Sequence, residues 1–83
     1  MEIKKTLNGN ELFVAVEGRL DTTTAPQLEE DVRQNLEGIK RLVFDFEKLE
    51  YISSAGLRVL LAMQKIMNKQ GSMTIKNVNE TVM

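Results

Sequence analysis

Residues 41–71, RLVFDFEKLEYISSAGLRVLLAMQKIMNKQG, decide the fold. The opening part, 40–46, is short, rich in β-formers and apolar at consecutive positions, the pattern of a strand covered on both faces and here predicted to be the central one. Glu47 to Tyr51, EKLEY, reads as a polar turn. From Ala55 to Lys69 the apolar residues Val59, Leu60, Met63, Ile66 and Met67 recur at helical spacing, which leaves Arg58, Lys65, Asn68 and Lys69 facing water. Gly71 closes that helix, and Lys65 and Lys69 precede it where the macrodipole favours cations.

Working outward, RLDTTTAPQLEEDVRQNLEG predicts a second helix over about Ala25 to Glu37. Thr24 and Gln27 stand in capping-box relation with Pro26 in the first turn, Ala25, Leu28, Val32 and Leu36 form one apolar stripe, and Gly38 supplies the end. Upstream, Leu12 to Gly18 reads as a buried strand, and Asn8-Gly9 is a hairpin signal that pairs it antiparallel with a strand around Glu2 to Leu7, an edge marked by Lys4 and Lys5. Downstream, 72–78 alternates loosely enough to be a last strand, and NETVM resembles the opening of another helix. The order β-β-α-β-α-β, with helices as crossovers, predicts an α/β fold: a small single-layer mixed sheet, largely parallel, with right-handed connections.

Composition excludes several functions. A chain of 83 residues makes one small domain, 1–83, and with aromatics at only 5% its core must be Leu, Val, Ile and Met. Eleven Lys plus Arg against 12 Asp plus Glu give a net charge of −1, so nothing draws the chain to a nucleic-acid backbone. With no Cys and no His, it lacks disulfides, thiol chemistry, the usual zinc ligands and the usual neutral-pH proton shuttle, which argues against an enzyme and against a cofactor. No signal-like or membrane-spanning apolar run occurs, so a cytoplasmic protein without membrane insertion is expected. A divalent cation gathered by Asp21, Asp45 and Glu47, with Ser54 as nucleophile, is the enzymatic alternative; no Lys, Arg or His accompanies them at a spacing suited to phosphoryl transfer.

The serine pair ahead of the second helix carries the remaining information. Ser53 or Ser54 is a ready N-cap, but Gly56 occupies the first turn at a propensity cost of about 1 kcal/mol, and that turn holds Arg58 and no acidic residue. The uncompensated positive end of the macrodipole suits an added phosphate, and glycine allows close approach to its N–H groups. A phosphoryl group on Ser54 would reverse the local charge without unfolding the helix.

LVFDFEKLEYISSAGLRVLL, with GRLDTTTAPQL before it, resembles the STAS family, the domain shared by sulphate transporters and bacterial anti-sigma-factor antagonists. In that family a strand ends in Asp plus an apolar residue, and Asp-Ser-Ser/Thr-Gly-Leu opens the next helix; Asp45-Phe46 and Ser53-Ser54-Ala55-Gly56-Leu57 fall on those positions. The resemblance implies phosphorylation at Ser54, a partner surface of Asp21, Ser53, Ser54, Gly56, Leu57 and Arg58, and an anti-sigma-factor serine kinase, or another protein, as partner. Here Ser53 stands where the family has Asp, and Ala55 replaces a second hydroxyl. Asp21 matches the family's acidic residue after the second strand and equally suits a turn. The family's further helix has only NETVM in its place, so the expectation is a domain cut short at its C-terminus, with an uncovered apolar surface that invites a homodimer; Met63, Met67 and Met73 read either as plain core or as part of that surface. Two functions are implied: an anti-sigma-factor antagonist switched off by serine phosphorylation, or a constitutive docking subunit of a membrane-transport or signalling complex in which Ser54 only caps.

Overall fold

The computed structural model describes residues 1–78. Seven elements succeed one another: β1 (Glu2–Asn8), β2 (Glu11–Leu20), α1 (Ala25–Arg33), β3 (Arg41–Asp45), β4 (Leu49–Ile52), α2 (Ser54–Gln70) and β5 (Ser72–Lys76). They form one five-stranded mixed sheet and two helices, the α/β architecture expected. The helix that NETVM resembles lies outside the described residues.

The Asn8-Gly9 signal holds: β1 and β2 pair antiparallel from Asn8↔Glu11 to Glu2↔Glu17, with Gly9 at positive φ in the turn. Beyond that hairpin every pairing is parallel. The first half of β2 pairs with β3, from Glu11↔Arg41 to Ala15↔Asp45, and β3 pairs in turn with β5. The second half of β2 pairs with β4, Gly18↔Leu49 and Leu20↔Ile52, across an irregularity between Gly18 and Arg19. β3 is thus interior, but β2 is the strand with three neighbours.

β4 corrects the reading of Glu47 to Tyr51 as a turn alone. The turn is confined to 46–49, where Leu49 N–H donates to the Phe46 carbonyl at 3.1 Å and Glu47 N–H to Asp45 Oδ1 at 3.0 Å. Leu49 is buried, whereas Glu50 and Tyr51 are exposed, so β4 carries almost no hydrophobic alternation of its own and exists because β2 offers it a ladder.

Alternate residues of β2, Leu12, Val14, Val16 and Leu20, enter one core with Ala25, Leu28 and Val32 of α1 and Val59, Leu60, Met63 and Met67 of α2. Both helices therefore cover the same sheet face. Met63 and Met67 are fully buried, as the core reading of the methionine stripe has it, and Met73 is partly buried against the same core.

α1 departs from expectation at both ends. Its capping box does not form: Thr24 makes no side-chain cap, and its hydroxyl instead accepts from Asp21 N–H at 2.9 Å and donates to the Arg19 carbonyl at 2.8 Å. The helix stops at Arg33, not Glu37, because Asn35 Nδ2 donates to the Asp31 carbonyl at 2.7 Å, displacing the Asn35 backbone N–H to the Val32 carbonyl at 3.0 Å. Leu36 and Ile39, beyond the helix, still reach the core.

The end of α2 is tied to this loop. Gln70 Nε2 donates to the carbonyls of Leu36 and Ile39 at 2.8 and 2.7 Å, and Ser72 N–H to that of Lys40 at 2.9 Å. Gly71 is required for close approach, since a Cβ there would stand 1.9 Å from the Lys40 carbonyl oxygen. Gly71→Ala must therefore displace backbone, with an expected loss of about 2–3 kcal/mol in urea unfolding; a change below about 0.5 kcal/mol would refute the close approach.

Candidate functional site

The site is assembled by the parallel pairing of β2 with β4. Leu20 and Ile52 are register partners, and Ser53 N–H donates to the Leu20 carbonyl at 2.9 Å, so the two strands end side by side. Asp21 follows one and Ser53 follows the other. Residues more than thirty positions apart in the sequence thereby reach one corner of the molecule.

Ser53 is the N-cap of α2. Its backbone is extended (φ −95°, ψ 175°), and its Oγ accepts from Gly56 N–H at 3.3 Å while its carbonyl accepts from Leu57 N–H at 3.0 Å. Ser54 is the first helical residue and is exposed, and its hydroxyl makes no hydrogen bond within the described residues. Of the two serines that the sequence offered as cap, Ser53 is the one that caps. Leu57 and Arg58 are also exposed, one turn further along α2.

Gly56 behaves differently from the other residues expected at a partner surface, because it is buried. A Cβ there would meet Leu20 Cγ at 2.8 Å and Ile52 Cγ1 at 2.9 Å. The glycine lets α2 start directly on the ends of β2 and β4, and its N–H is occupied by Ser53. It is a support under the exposed face, not a path for an anion.

Asp21 holds the opposing turn. Its Oδ1 accepts from Thr23 and Thr24 N–H at 3.0 and 3.2 Å, and Arg19 Nε lies 3.9 Å from Oδ2. The Thr24 N–H bond above all, then those from Thr23 N–H and the Thr24 hydroxyl, and finally the Arg19 charge, lower its pKa against some desolvation. Asp21 is therefore ionised and holds the turn that leads into α1, where its backbone carbonyl also accepts from Ala25 N–H at 2.8 Å.

Arg19, before that turn, stacks its guanidinium 4.4 Å from the Tyr51 ring centroid. Neither residue stands out in the sequence, since the pair exists only through the Arg19↔Tyr51 register. Asp45 and Glu47 lie elsewhere, with Asp45 Oδ1 accepting from Asn77 Nδ2 at 2.9 Å. Asp21, Asp45 and Glu47 do not gather, and no group of three potential metal ligands occurs among the described residues. No described helix is long and apolar enough to cross a membrane.

The corner is thus a strand-turn-helix unit that exposes one serine at a helix start, braced by a second strand end. The model of the STAS domain family matches residues 2–83, and the chain belongs to that family. A protein of Bordetella bronchiseptica named as anti-sigma factor antagonist BtrV is 36% identical over 66 residues, which cover 77% of this chain and 57% of BtrV. The chain thus spans little more than half the length of that relative. Among solved structures, the anti-sigma factor antagonist SpoIIAA in its unphosphorylated form superposes with a TM-score of 0.83 at 15% identity, over 96% of this chain and 76% of that one. The phosphorylated form of the Bacillus cell fate determinant SpoIIAA gives a TM-score of 0.80 at 17% identity, with the same coverage. At these identities the two structures establish the shared fold.

Two substitutions test the architecture of the corner. Gly56→Ala gains helix propensity of about 1 kcal/mol yet is expected to destabilise the domain, because Leu20 is fully buried and its Cγ has nowhere to retreat. A variant as stable as the wild type in urea unfolding would contradict the close packing. For Asp21, whose folded pKa is lowered, stabilisation is complete above the ordinary Asp range and is lost as pH falls through the folded value. Asp21→Asn should flatten the acid limb of the stability profile, and an unchanged limb would show that its carboxylate contributes nothing there.

Proposed function

We propose that this domain is an anti-sigma factor antagonist. It binds a partner protein, an anti-sigma-factor serine kinase, through the exposed start of α2 and the neighbouring Asp21 turn, and phosphorylation of Ser54 ends the binding. The observation that carries this reading is the division of labour between the serines: Ser53 caps the helix and Ser54 presents an uncommitted, exposed hydroxyl. Similarity to BtrV supports the role as antagonist.

The physics of the switch comes from the position. No acidic residue lies in the first turn of α2, so a phosphate on Ser54 meets the positive end of the helix dipole and comes within one turn of Arg58. The helix accommodates the modification, while a partner that docks there meets about two new negative charges. Ser54, Leu57 and Arg58 contribute side chains to the contact, Ser53 and Gly56 set the backbone beneath them, and Asp21 shapes the adjoining turn. The kinase activity belongs to the partner, and this chain acts by binding. Such a role takes place in the cytoplasm.

The substitution of Ser53 for the family's Asp favours a second reading. The residue before the acceptor carries no carboxylate, and the carboxylate of Asp21 is spent on Thr23 and Thr24. On this reading the same surface docks constitutively in a transport or signalling complex, and Ser54 is never modified.

Intact mass measurement with site mapping, on protein isolated from its native cells with and without stress, separates the two. One phosphate on Ser54 that varies with condition is the expected result; an unmodified Leu49 to Lys65 segment in both states overturns the switch. In parallel, Ser54→Asp should weaken binding to the partner kinase by about tenfold or more, which corresponds to about 1.4 kcal/mol, and leave the unfolding midpoint nearly unchanged. Ser54→Ala should bind normally and resist phosphorylation.

A further inference from the structure

A phosphate on Ser54 needs a cation within reach, and α2 supplies one. Arg58 follows Ser54 at the i,i+4 spacing, so the two stand about 6 Å apart along the helix axis and about 40° apart around it, neighbours on the outward face. Lys65, about 16 Å further along the axis than Ser54, is beyond contact. Ser54 and Arg58 are both exposed; the hydroxyl makes no hydrogen bond and the guanidinium no ion pair among the described residues. The helical neighbours of Arg58 three and four positions away are Ser54, Ala55, Leu61 and Ala62, none of them acidic.

The chain already contains the kind of pair that such a phosphate would form. On α1, Glu29 and Arg33 stand at the same spacing and in the same order, acid before base, and Arg33 Nε lies 3.8 Å from Glu29 Oε2. α2 has the base of this arrangement without the acid. The other guanidinium of the corner is committed, since Arg19 lies over the Tyr51 ring and beside Asp21. The Asp21 carboxylate, held by Thr23 and Thr24 N–H, disfavours a phosphate on its own side of the corner.

We propose that phosphorylation of Ser54 creates an intramolecular ion pair with Arg58, so that the modification withdraws a guanidinium from the partner surface as well as adding charge to it. The proposal deepens the switch at Ser54 and rests on that reading. In the modifying step Ser54 Oγ bonds to the γ-phosphorus of the partner kinase's nucleoside triphosphate, the bond from that phosphorus to the β-bridging oxygen breaks, the nucleoside diphosphate leaves and the hydroxyl proton passes to solvent. The product faces a planar guanidinium that can donate two parallel N–H bonds to its oxygens, a geometry that lysine does not supply. A partner then meets a closed pair with residual negative charge where it had met a hydroxyl and a free cation.

The test uses the full chain, labelled with 15N, with phosphoserine inserted at position 54 during translation, so that no cellular kinase is needed. The Nε–H signal of Arg58 is expected to shift relative to the unmodified chain, whereas those of Arg33 and Arg41, already paired, stay in place. Labelling of Arg58 by phenylglyoxal, read by peptide mass mapping, should slow about threefold in the phosphorylated chain. Phosphorylation should raise the thermal midpoint by about 2 °C more in the wild type than in Arg58→Gln, since the helix-dipole share of the rise survives the substitution and the ion-pair share does not. Arg58→Lys should recover part of that difference.

An unshifted Arg58 signal, an equal rise of the midpoint in the wild type and Arg58→Gln, or a shift of the Arg19 signal in place of Arg58 would overturn the pair. Absence of phosphate from Ser54 in cells, read by site mapping, would overturn the switch on which the proposal rests, whatever Arg58 does beside the inserted phosphoserine. The two failures are therefore read in different experiments.

Discussion

The structure depends on the divided ladder of β2. Ten residues of one strand hold β1 along one edge, β3 along the first half of the other and β4 along the second half. Parallel pairing requires that β3 and β4 run in series in the same direction, and the tight turn at 46–49 makes this geometrically feasible. Each strand then positions its successor in the chain: β2 delivers the Asp21 turn and α1, and β4 delivers Ser53 and α2. Without the Leu20↔Ile52 register the two would not meet.

Two glycines set how closely α2 approaches this frame. At its start Gly56 lies on Leu20 and Ile52, and at its end Gly71 lies on the Lys40 carbonyl. A helix clamped at both ends against strand termini has a defined rotation about its axis, which determines the face it exposes. Val59, Leu60, Met63 and Met67 turn inward, and Ser54, Leu57, Arg58, Leu61, Lys65 and Lys69 turn outward. The start of the candidate site lies on that outward face.

Several other carboxylates and cations pair within the frame. Glu17 is flanked by Lys4 at 3.2 Å and Lys48 at 3.7 Å, and the Lys4 contact foremost lowers its pKa. Lys5 reaches Asp31 on α1, and Arg41 reaches Glu11. Pairs this exposed contribute little stability individually.

Much of this was legible in the chain itself. The period of the apolar residues from Val59 to Met67 determined α2 and its inward face, Asn8-Gly9 determined the hairpin, and the β-rich run around Val43 determined an interior strand, because each rests on local chemistry that tertiary contacts reinforce. The serine pair ahead of Gly56 and Leu57 identified the region of interest, and the STAS resemblance was carried by the same residues. Tertiary structure alone decided the rest. β4 has too few buried residues to show a pattern and is created by its ladder with β2. The capping box of Thr24 with Gln27 does not form, because the Thr24 hydroxyl is engaged with the Arg19 carbonyl and Asp21 N–H across the turn. Which serine is free, why Gly56 is a glycine, and which leucines remain outside were undecidable from spacing, since each depends on the distance between chain segments that only folding brings together.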